Sequence, residues 1–118
     1  MPTLGMITID TLEPRRLSDW WAERLGGETI FDGEGYFSII SVPGWSVNLG
    51  FQKVEDPTPG KNRIHLDLDW AQGEERESGI AAWVEAGATH LGQRGENDFH
   101  WDTFTDPEGN EFCIGDAH

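Results

Sequence analysis

The first half of the chain follows, in turn, the two periodicities of regular secondary structure. Apolar residues at every second position predict a strand over residues 5–11. Apolar residues at helical spacing then predict a helix over residues 14–25, which a Gly-Gly pair ends. Alternation returns after the helix and predicts three more strands, at residues 29–31, 36–42 and 46–51. The first half therefore reads as βαβββ.

The same order of elements is predicted a second time after residues 55–61, a segment with two prolines, one glycine and no periodicity. A strand and then a helix are predicted over residues 62–69 and 74–86. The three strands that follow are predicted at residues 89–93, 100–105 and 111–114. Repetition of one unit indicates a duplicated module.

We therefore predict a single domain over residues 1–118, made of module one (1–54), a linker (55–61) and module two (62–118). Each module is expected to be a four-stranded sheet with its helix packed on one face. The residues predicted to face the helices are Ile7, Ile9, Val47, Leu49, Ile64, Leu66, Leu68, Phe112 and Ile114. The predicted fold class is α+β, with two tandem βαβββ modules forming a curved mixed sheet around a central cleft, where small molecules usually bind.

Charge and cysteine content narrow the classes of partner. Eight Lys and Arg against 22 Asp and Glu give a formal net charge of −14. Such a surface repels phosphate groups, so we expect binding to neither nucleic acid nor an anionic membrane. A single cysteine, Cys113, allows no intrachain disulfide. Together with the absence of a signal-like or long apolar segment, this favours a cytoplasmic location.

The chain resembles a known superfamily in its element order and in three segments. These are the opening MITIDTLEPRRLSDWWAERLGG, the predicted strand RIHLDLDW and the ending HWDTFTDPEGNEFCIGD. They resemble the glyoxalase/bleomycin-resistance/dioxygenase (vicinal oxygen chelate) superfamily, and its small glyoxalase-like subgroup in particular. The resemblance covers nearly the whole chain. It implies the paired-module fold, a homodimer and a small-molecule ligand in the cleft.

The resemblance also identifies positions where a metal would be held. The metal enzymes of the superfamily place ligands on four inward-facing strand positions, which correspond here to Met6, Asn48, His65 and Cys113. Of these, only His65 is a usual ligand, and Cys113 replaces the carboxylate expected in the last strand. A site of that kind needs about three nitrogen or oxygen donors. The resemblance therefore implies no metal ligands and no cofactor, with an atypical metal site as the alternative.

His65 and Asp67 are the candidate catalytic residues, because an imidazole beside a carboxylate on one strand face can act as a general base. Their alternative role is that of solvated polar residues in the cleft wall. Cys113 could be an activated thiol or a small buried side chain. The residues predicted to bind ligand are Met6, Asn48, His65, Trp101 and Cys113.

Two classes of function remain open. The first is a small-molecule-binding protein of the glyoxalase/bleomycin-resistance type without a catalytic metal. The alternative is a lyase or isomerase of the same superfamily that uses His65 with cleft carboxylates, or an atypical metal site. The missing ligand set favours the first and disfavours metal-dependent lyase or dioxygenase activity. Asp10, Asp67 and Asp69, on the predicted cleft face, favour the second.

Overall fold

A computed structural model describes residues 1–96 and 98–116 of the chain. They divide into two compact units, of which the first spans Met1–Pro59 and the second begins at Gly60. The boundary lies inside the Pro-rich segment 55–61. Neither helix in the described part of the chain is long and apolar enough to cross a membrane.

The first unit contains one helix and four strands. They are β1 (Met6–Thr11), α1 (Pro14–Leu25), β2 (Glu28–Asp32), β3 (Phe37–Ser41) and β4 (Asn48–Lys53). The strand order in the sheet is β1-β4-β3-β2. β1 and β4 are parallel and the other pairs are antiparallel, so the sheet is mixed. The predicted βαβββ order of this module is confirmed.

The helix α1 covers one face of this sheet. It starts at Pro14, whose fixed φ suits the first turn, and it ends at Gly26, which adopts a left-handed conformation with φ 68°. Leu17 and Trp21, from the predicted apolar stripe, are almost fully buried. The core of this unit therefore lies between α1 and the strands β3 and β4.

The second unit repeats the same plan. Its elements are β5 (Leu66–Asp69), α2 (Arg76–Glu85), β6 (Thr89–Glu96), β7 (Phe99–Thr105) and β8 (Glu111–Gly115). The strand order is β5-β8-β7-β6, with β5 parallel to β8 and the remaining pairs antiparallel. Two mixed four-stranded sheets, each with one helix, confirm the α+β prediction.

The strand β5 begins later than the predicted strand at residues 62–69. The Asn62 side chain takes over the pairing there: its amide donates to the carbonyls of Ile64 (2.8 Å) and Glu111 (3.0 Å). Its side-chain oxygen accepts the Glu111 N–H at 2.7 Å. The prediction that Ile64 faces the helix is wrong, since Ile64 is 82% exposed. His65 consequently lies just before β5 rather than within it.

Candidate functional site

A pocket of about 460 Å³ lies within the second unit. Successive residues of a strand point to opposite faces of its sheet. Phe104 of β7 and Phe112 of β8 face α2, because their rings lie 6.4 and 5.2 Å from the ring of Trp83. Thr103 and Cys113, next to them in sequence, therefore point to the open face. Both line the pocket.

Three side chains that can carry protons or metals meet at the β5 end of this pocket. Nε2 of His65 lies 3.2 Å from Oδ1 of Asp67, and both side chains are substantially exposed. Asp67 is also the cross-strand partner of Cys113 in the β5–β8 pair. The donor atoms of the three residues all lie within 4.8 Å of one another. This group forms the reactive end of the pocket.

Cys113 is the buried member of this group, with 7% of its surface exposed. Burial raises the pKa of its thiol, a hydrogen bond with Thr103 opposes that shift, and the nearby charges of Asp67 and Glu111 add to it. The Sγ–Oγ1 distance to Thr103 is 3.6 Å. Cys113 is therefore held as a neutral thiol at neutral pH, which suits hydrogen bonding better than nucleophilic attack.

The three donor side chains match part of what a metal ion requires. An imidazole nitrogen, a carboxylate oxygen and a sulfur are all zinc ligands, and catalytic zinc sites use three protein ligands. His65, Asp67 and Cys113 fit such an ion in number and type, provided that Cys113 loses its proton. Asp67 is not among the four superfamily ligand positions. Its place two residues after His65, on the same predicted strand face, is the sequence signal that made it a candidate catalytic residue.

Two of the predicted ligand-binding residues lie in the first unit. Met6 of β1 and Asn48 of β4 are cross-strand partners there. Met6 lies over Gly50, where an added Cβ would come within 2.9 Å of its sulfur. The predicted site residues thus form two sets. Met6 and Asn48 are adjacent in the first unit, and His65, Asp67, Trp101 and Cys113 line one pocket in the second, with Asp67 also contacting His65.

The other end of the pocket is aromatic and basic. The structure places Trp101, one of the residues predicted to bind ligand, on the pocket wall with Phe99. Their ring centroids lie 5.7 Å apart with planes inclined at 67°. Arg94 of β6 is the cross-strand partner of Trp101 and also lines the pocket. The pocket therefore combines aromatic surface on β7 with a cation on the neighbouring strand β6.

A second polar cluster, which sequence reasoning missed, lies on the helix side of the same sheet. Asp102 of β7 is 1% exposed. It accepts hydrogen bonds from Arg76 Nε and Nη2 at 2.9 and 2.8 Å, and His90 Nε2 lies 2.9 Å from Oδ1. Burial alone would raise the pKa of Asp102, but the bonds from Arg76 and His90 outweigh it and lower the pKa. The available signal was an aspartate on the same strand face as Phe104.

Two mixed four-stranded sheets, each covered by one helix in the order βαβββ, define the class of paired-module α+β proteins with the glyoxalase fold. The family model described as "Glyoxalase-like domain" matches residues 6–115. The chain therefore belongs to the glyoxalase-like domain family, and the predicted resemblance is confirmed. No curated protein sequence matches the chain at a significant level.

Solved structures agree with this fold. A glyoxalase/bleomycin resistance protein/dioxygenase family enzyme from Burkholderia phytofirmans is 20% identical, with a TM-score of 0.81 over 99% of this chain and 100% of that one. The fosfomycin resistance protein FosX from Listeria monocytogenes is 12% identical, with a TM-score of 0.82 over 100% and 93%. A superfamily member from Sphaerobacter thermophilus is 19% identical, with a TM-score of 0.73 over 99% and 98%. At these identities the likeness concerns the fold alone.

Proposed function

We propose that this protein binds a small organic molecule in the pocket of the second unit and does so without a catalytic metal. The observation that carries the proposal is the pocket itself, whose volume of about 460 Å³ falls in the usual range for small-molecule sites. Its lining combines aromatic faces with a few polar groups, as such sites require. FosX, which has the same fold, is a fosfomycin resistance protein, so this architecture is compatible with a small-molecule role.

Different residues of the pocket supply the apolar surface and the hydrogen-bonding groups that could bind a ligand. Phe99 and Trp101 supply apolar surface, and Phe99 is 57% exposed. Thr103 and His65 supply hydrogen-bonding groups. The carboxylate of Asp67 is occupied in part by His65. A ligand that covers Phe99 would remove apolar area from water, which is favourable by about 25 cal/mol per Å².

A screen of small organic fragments by NMR of the ¹⁵N-labelled protein tests this proposal. Hits are expected to shift the backbone resonances of Thr103 and Cys113 and the indole resonance of Trp101. Phe99→Ala should weaken those hits because it removes exposed apolar surface from the pocket. Val84→Ala is the matched control, since Val84 is also exposed, lies on α2 and does not line the pocket. Hits that leave all pocket resonances unmoved would contradict the proposal.

A second candidate function is a lyase or isomerase reaction in the same pocket, and the contact between His65 and Asp67 favours it. If Nε2 of His65 donates to Asp67 at 3.2 Å, the carboxylate fixes the tautomer in which Nδ1 accepts protons. His65 would then remove a proton from a bound substrate as a general base. An ion held by His65, Asp67 and Cys113 would supply Lewis-acid chemistry at the same place.

Metal analysis and three variants test whether the pocket holds a metal ion. We expect the purified protein to contain no stoichiometric metal and to keep its fragment binding after exhaustive chelation. Bound zinc, nickel or iron that His65→Ala, Asp67→Asn and Cys113→Ser each remove would overturn the metal-free proposal. His100→Ala serves as the control for His65→Ala, because His100 does not line the pocket.

Assembly and location remain predictions of the family resemblance. We expect a homodimer, and light scattering coupled to size-exclusion chromatography measures it directly. A cytoplasmic location is consistent with the single cysteine of the sequence. A monomeric mass in solution would contradict the first expectation without affecting the pocket proposal.

A further inference from the structure

We propose that the ligand of this pocket is a flat aromatic molecule with an anionic oxygen group, and that Arg94 binds the anion. This inference rests on the proposed small-molecule function and adds the chemical class of the ligand. It depends on the position of the Arg94 guanidinium, on its lack of an acidic partner, and on the aromatic side chains beside it.

The position of the Arg94 guanidinium depends on a strand residue without a side chain. Gly92 lies two residues before Arg94 on β6, so both face the pocket side of the sheet. A Cβ added to Gly92 would lie 2.8 Å from Nη1 of Arg94. The guanidinium therefore occupies the space that a side chain at residue 92 would fill. The cross-strand partner of Gly92 is Thr103, so this space borders the pocket floor.

Arg94 also lacks an acidic partner in a very acidic chain. Within residues 1–96 and 98–116, no Asp or Glu oxygen lies within 4.0 Å of its guanidinium, whereas Arg15, Arg24 and Arg76 each have at least one such neighbour. The other two arginines without such a neighbour there, Arg16 and Arg63, do not line the pocket. Nη1 of Arg94 donates a long hydrogen bond, 3.5 Å, to the carbonyl of Gln93. Most of its N–H groups are therefore available to a ligand.

The acidic groups of the pocket are already paired, in contrast to Arg94. Asp67 contacts His65 at 3.2 Å, and Glu111 lies 3.9 Å from the Lys61 ammonium. Of the lysine and arginine side chains that line the pocket, Lys61 thus has an acidic neighbour, and Arg94 has none among the described residues. An incoming carboxylate would meet a planar fork of donors, the geometry that arginine offers to such groups.

Aromatic side chains line the same pocket on the strand that pairs with β6. Trp101 is the cross-strand partner of Arg94, and its ring is 5.7 Å from that of Phe99. A ring placed against Trp101 would carry an attached carboxylate toward the guanidinium on the neighbouring strand. Offset or edge-on aromatic contacts of this kind contribute about 0.5–1.5 kcal/mol beyond area burial. The two features together favour a flat aromatic anion.

The net charge of −14 acts in the opposite direction, because it attracts cations to the protein as a whole. That long-range attraction is screened over about 8 Å at physiological salt. A charge-assisted hydrogen bond to Arg94 acts at contact distance and is screened far less. We therefore expect the local group to decide which ligand stays bound and the net charge to affect mainly the rate of encounter.

Three probes of one shape and different charge test the inference. They are 2-naphthoate, 2-naphthamide and 2-naphthylmethylammonium, each titrated into the ¹⁵N-labelled full-length protein, with calorimetry for the Kd. We expect 2-naphthoate to bind about tenfold more tightly than the amide, the size of one charge-assisted hydrogen bond. Arg94→Gln should abolish that preference, because it should weaken binding of the naphthoate more than binding of the amide. Arg16→Gln, an exposed arginine on α1, is the matched control.

The outcomes separate this inference from the proposed function. Equal binding of naphthoate and amide, tighter binding of the ammonium probe, or a preference that survives Arg94→Gln would overturn the anion site. If pocket resonances still shift in those cases, small-molecule binding stands. If no probe and no fragment shifts a pocket resonance, both proposals fall. Arg94→Lys adds a further check, because it keeps the charge but loses the fork and should retain only part of the preference.

Discussion

The two modules share one strand order but hold their helices by different means. In the first, α1 buries a stripe that includes Leu17 and Trp21, and two buried hydroxyls, Ser18 and Ser38, are hydrogen-bonded at 2.9 Å. In the second, α2 buries Gly79 and Trp83 alone among its residues. The same strand order is thus compatible with a helix that buries many residues, such as α1, and with one that buries few, such as α2.

An ion pair compensates for the narrow stripe of α2. Arg76 is the first residue of this helix, and its guanidinium makes two hydrogen bonds to the buried Asp102 carboxylate. Trp70 contributes at the middle of the helix, since its ring lies against Gly79. Ser18 and Gly79 occupy equivalent positions when counted back from Gly26 and Gly87, which follow the two helices. One module places a hydrogen bond at this position, and the other places an indole ring.

The largest effect on stability is expected from Arg76→Ala, which leaves the buried Asp102 with only His90. We expect a loss of about 3 kcal/mol in the free energy of unfolding, the low end for breaking a buried pair, because the Arg76 side chain is 40% exposed. Asp102→Ala should cost less, about 2 kcal/mol, since Arg76 can turn to water. Urea unfolding measures both. A larger loss for Asp102→Ala than for Arg76→Ala would contradict this interpretation of the Arg76–Asp102 ion pair.

Gly79→Ala is expected to be the next largest change. Alanine favours helices over glycine by about 1 kcal/mol, but the new Cβ would lie 2.5 Å from Cζ3 of Trp70. Overpacking of this kind costs about 1–3 kcal/mol, so we expect net destabilisation. Ser78→Ala, at an exposed neighbouring position, should stay within about 0.5 kcal/mol of the wild type in the same thermal or urea measurement. A stabilised Gly79→Ala protein would show that Trp70 moves freely.

Ser18→Ala tests the corresponding position of the first module. It leaves the Ser38 hydroxyl buried and without this partner, so we expect a loss of about 1 kcal/mol. The double variant Ser18→Ala with Ser38→Ala should cost less than the sum of the two single changes, because no unpaired hydroxyl remains. A double-mutant cycle from urea unfolding measures the coupling. Strict additivity would mean that the two hydroxyls contribute independently.

The smallest expected effect is on the pH dependence of stability. The pKa of Asp102 is lower in the folded protein than its usual value of about 4, so the unfolded state binds the proton first as pH falls. Its contribution to stability is present above about pH 4 and is lost as pH falls through the folded pKa. Asp102→Asn should therefore lose less stability than the wild type between neutral pH and the acid range. Parallel pH curves for the two proteins would contradict this assignment.

How far the sequence predicted the fold depended on how clearly each element was bounded. The helix over residues 14–25 was found as Pro14–Leu25, because Pro14 and Gly26 mark both of its ends. The helix over residues 74–86 was found as Arg76–Glu85, with no comparable residue at its start. The start of β5 was missed because a side chain, that of Asn62, replaces backbone pairing there. Alternation of apolar and polar residues cannot distinguish a segment paired through its backbone from one paired through a side chain.

In the candidate site, too, some contacts could be predicted from local spacing in the sequence and others could not. The contact between His65 and Asp67 was accessible from the sequence, since residues two apart share a strand face. The places of Arg94 and Gly92 were not, because they depend on the β6–β7 register, which shifts between His90 and Gly92. The grouping of Asp102 with Arg76 and His90 depends on where α2 begins relative to the sheet. Local periodicity does not predict contacts between residues that are far apart in the sequence.

The absence of a side chain at Gly92 has a consequence for how this protein could diversify. Gly92 has a φ of 136° and borders the open face of the sheet rather than the aromatic core around Phe104. A Gly92→Ala change would put a methyl group where the Arg94 guanidinium now lies, and it would also strain the backbone, because side chains rarely adopt this φ. Gly92 is therefore a position where this module tolerates little variation, for a reason unrelated to the packing of its core.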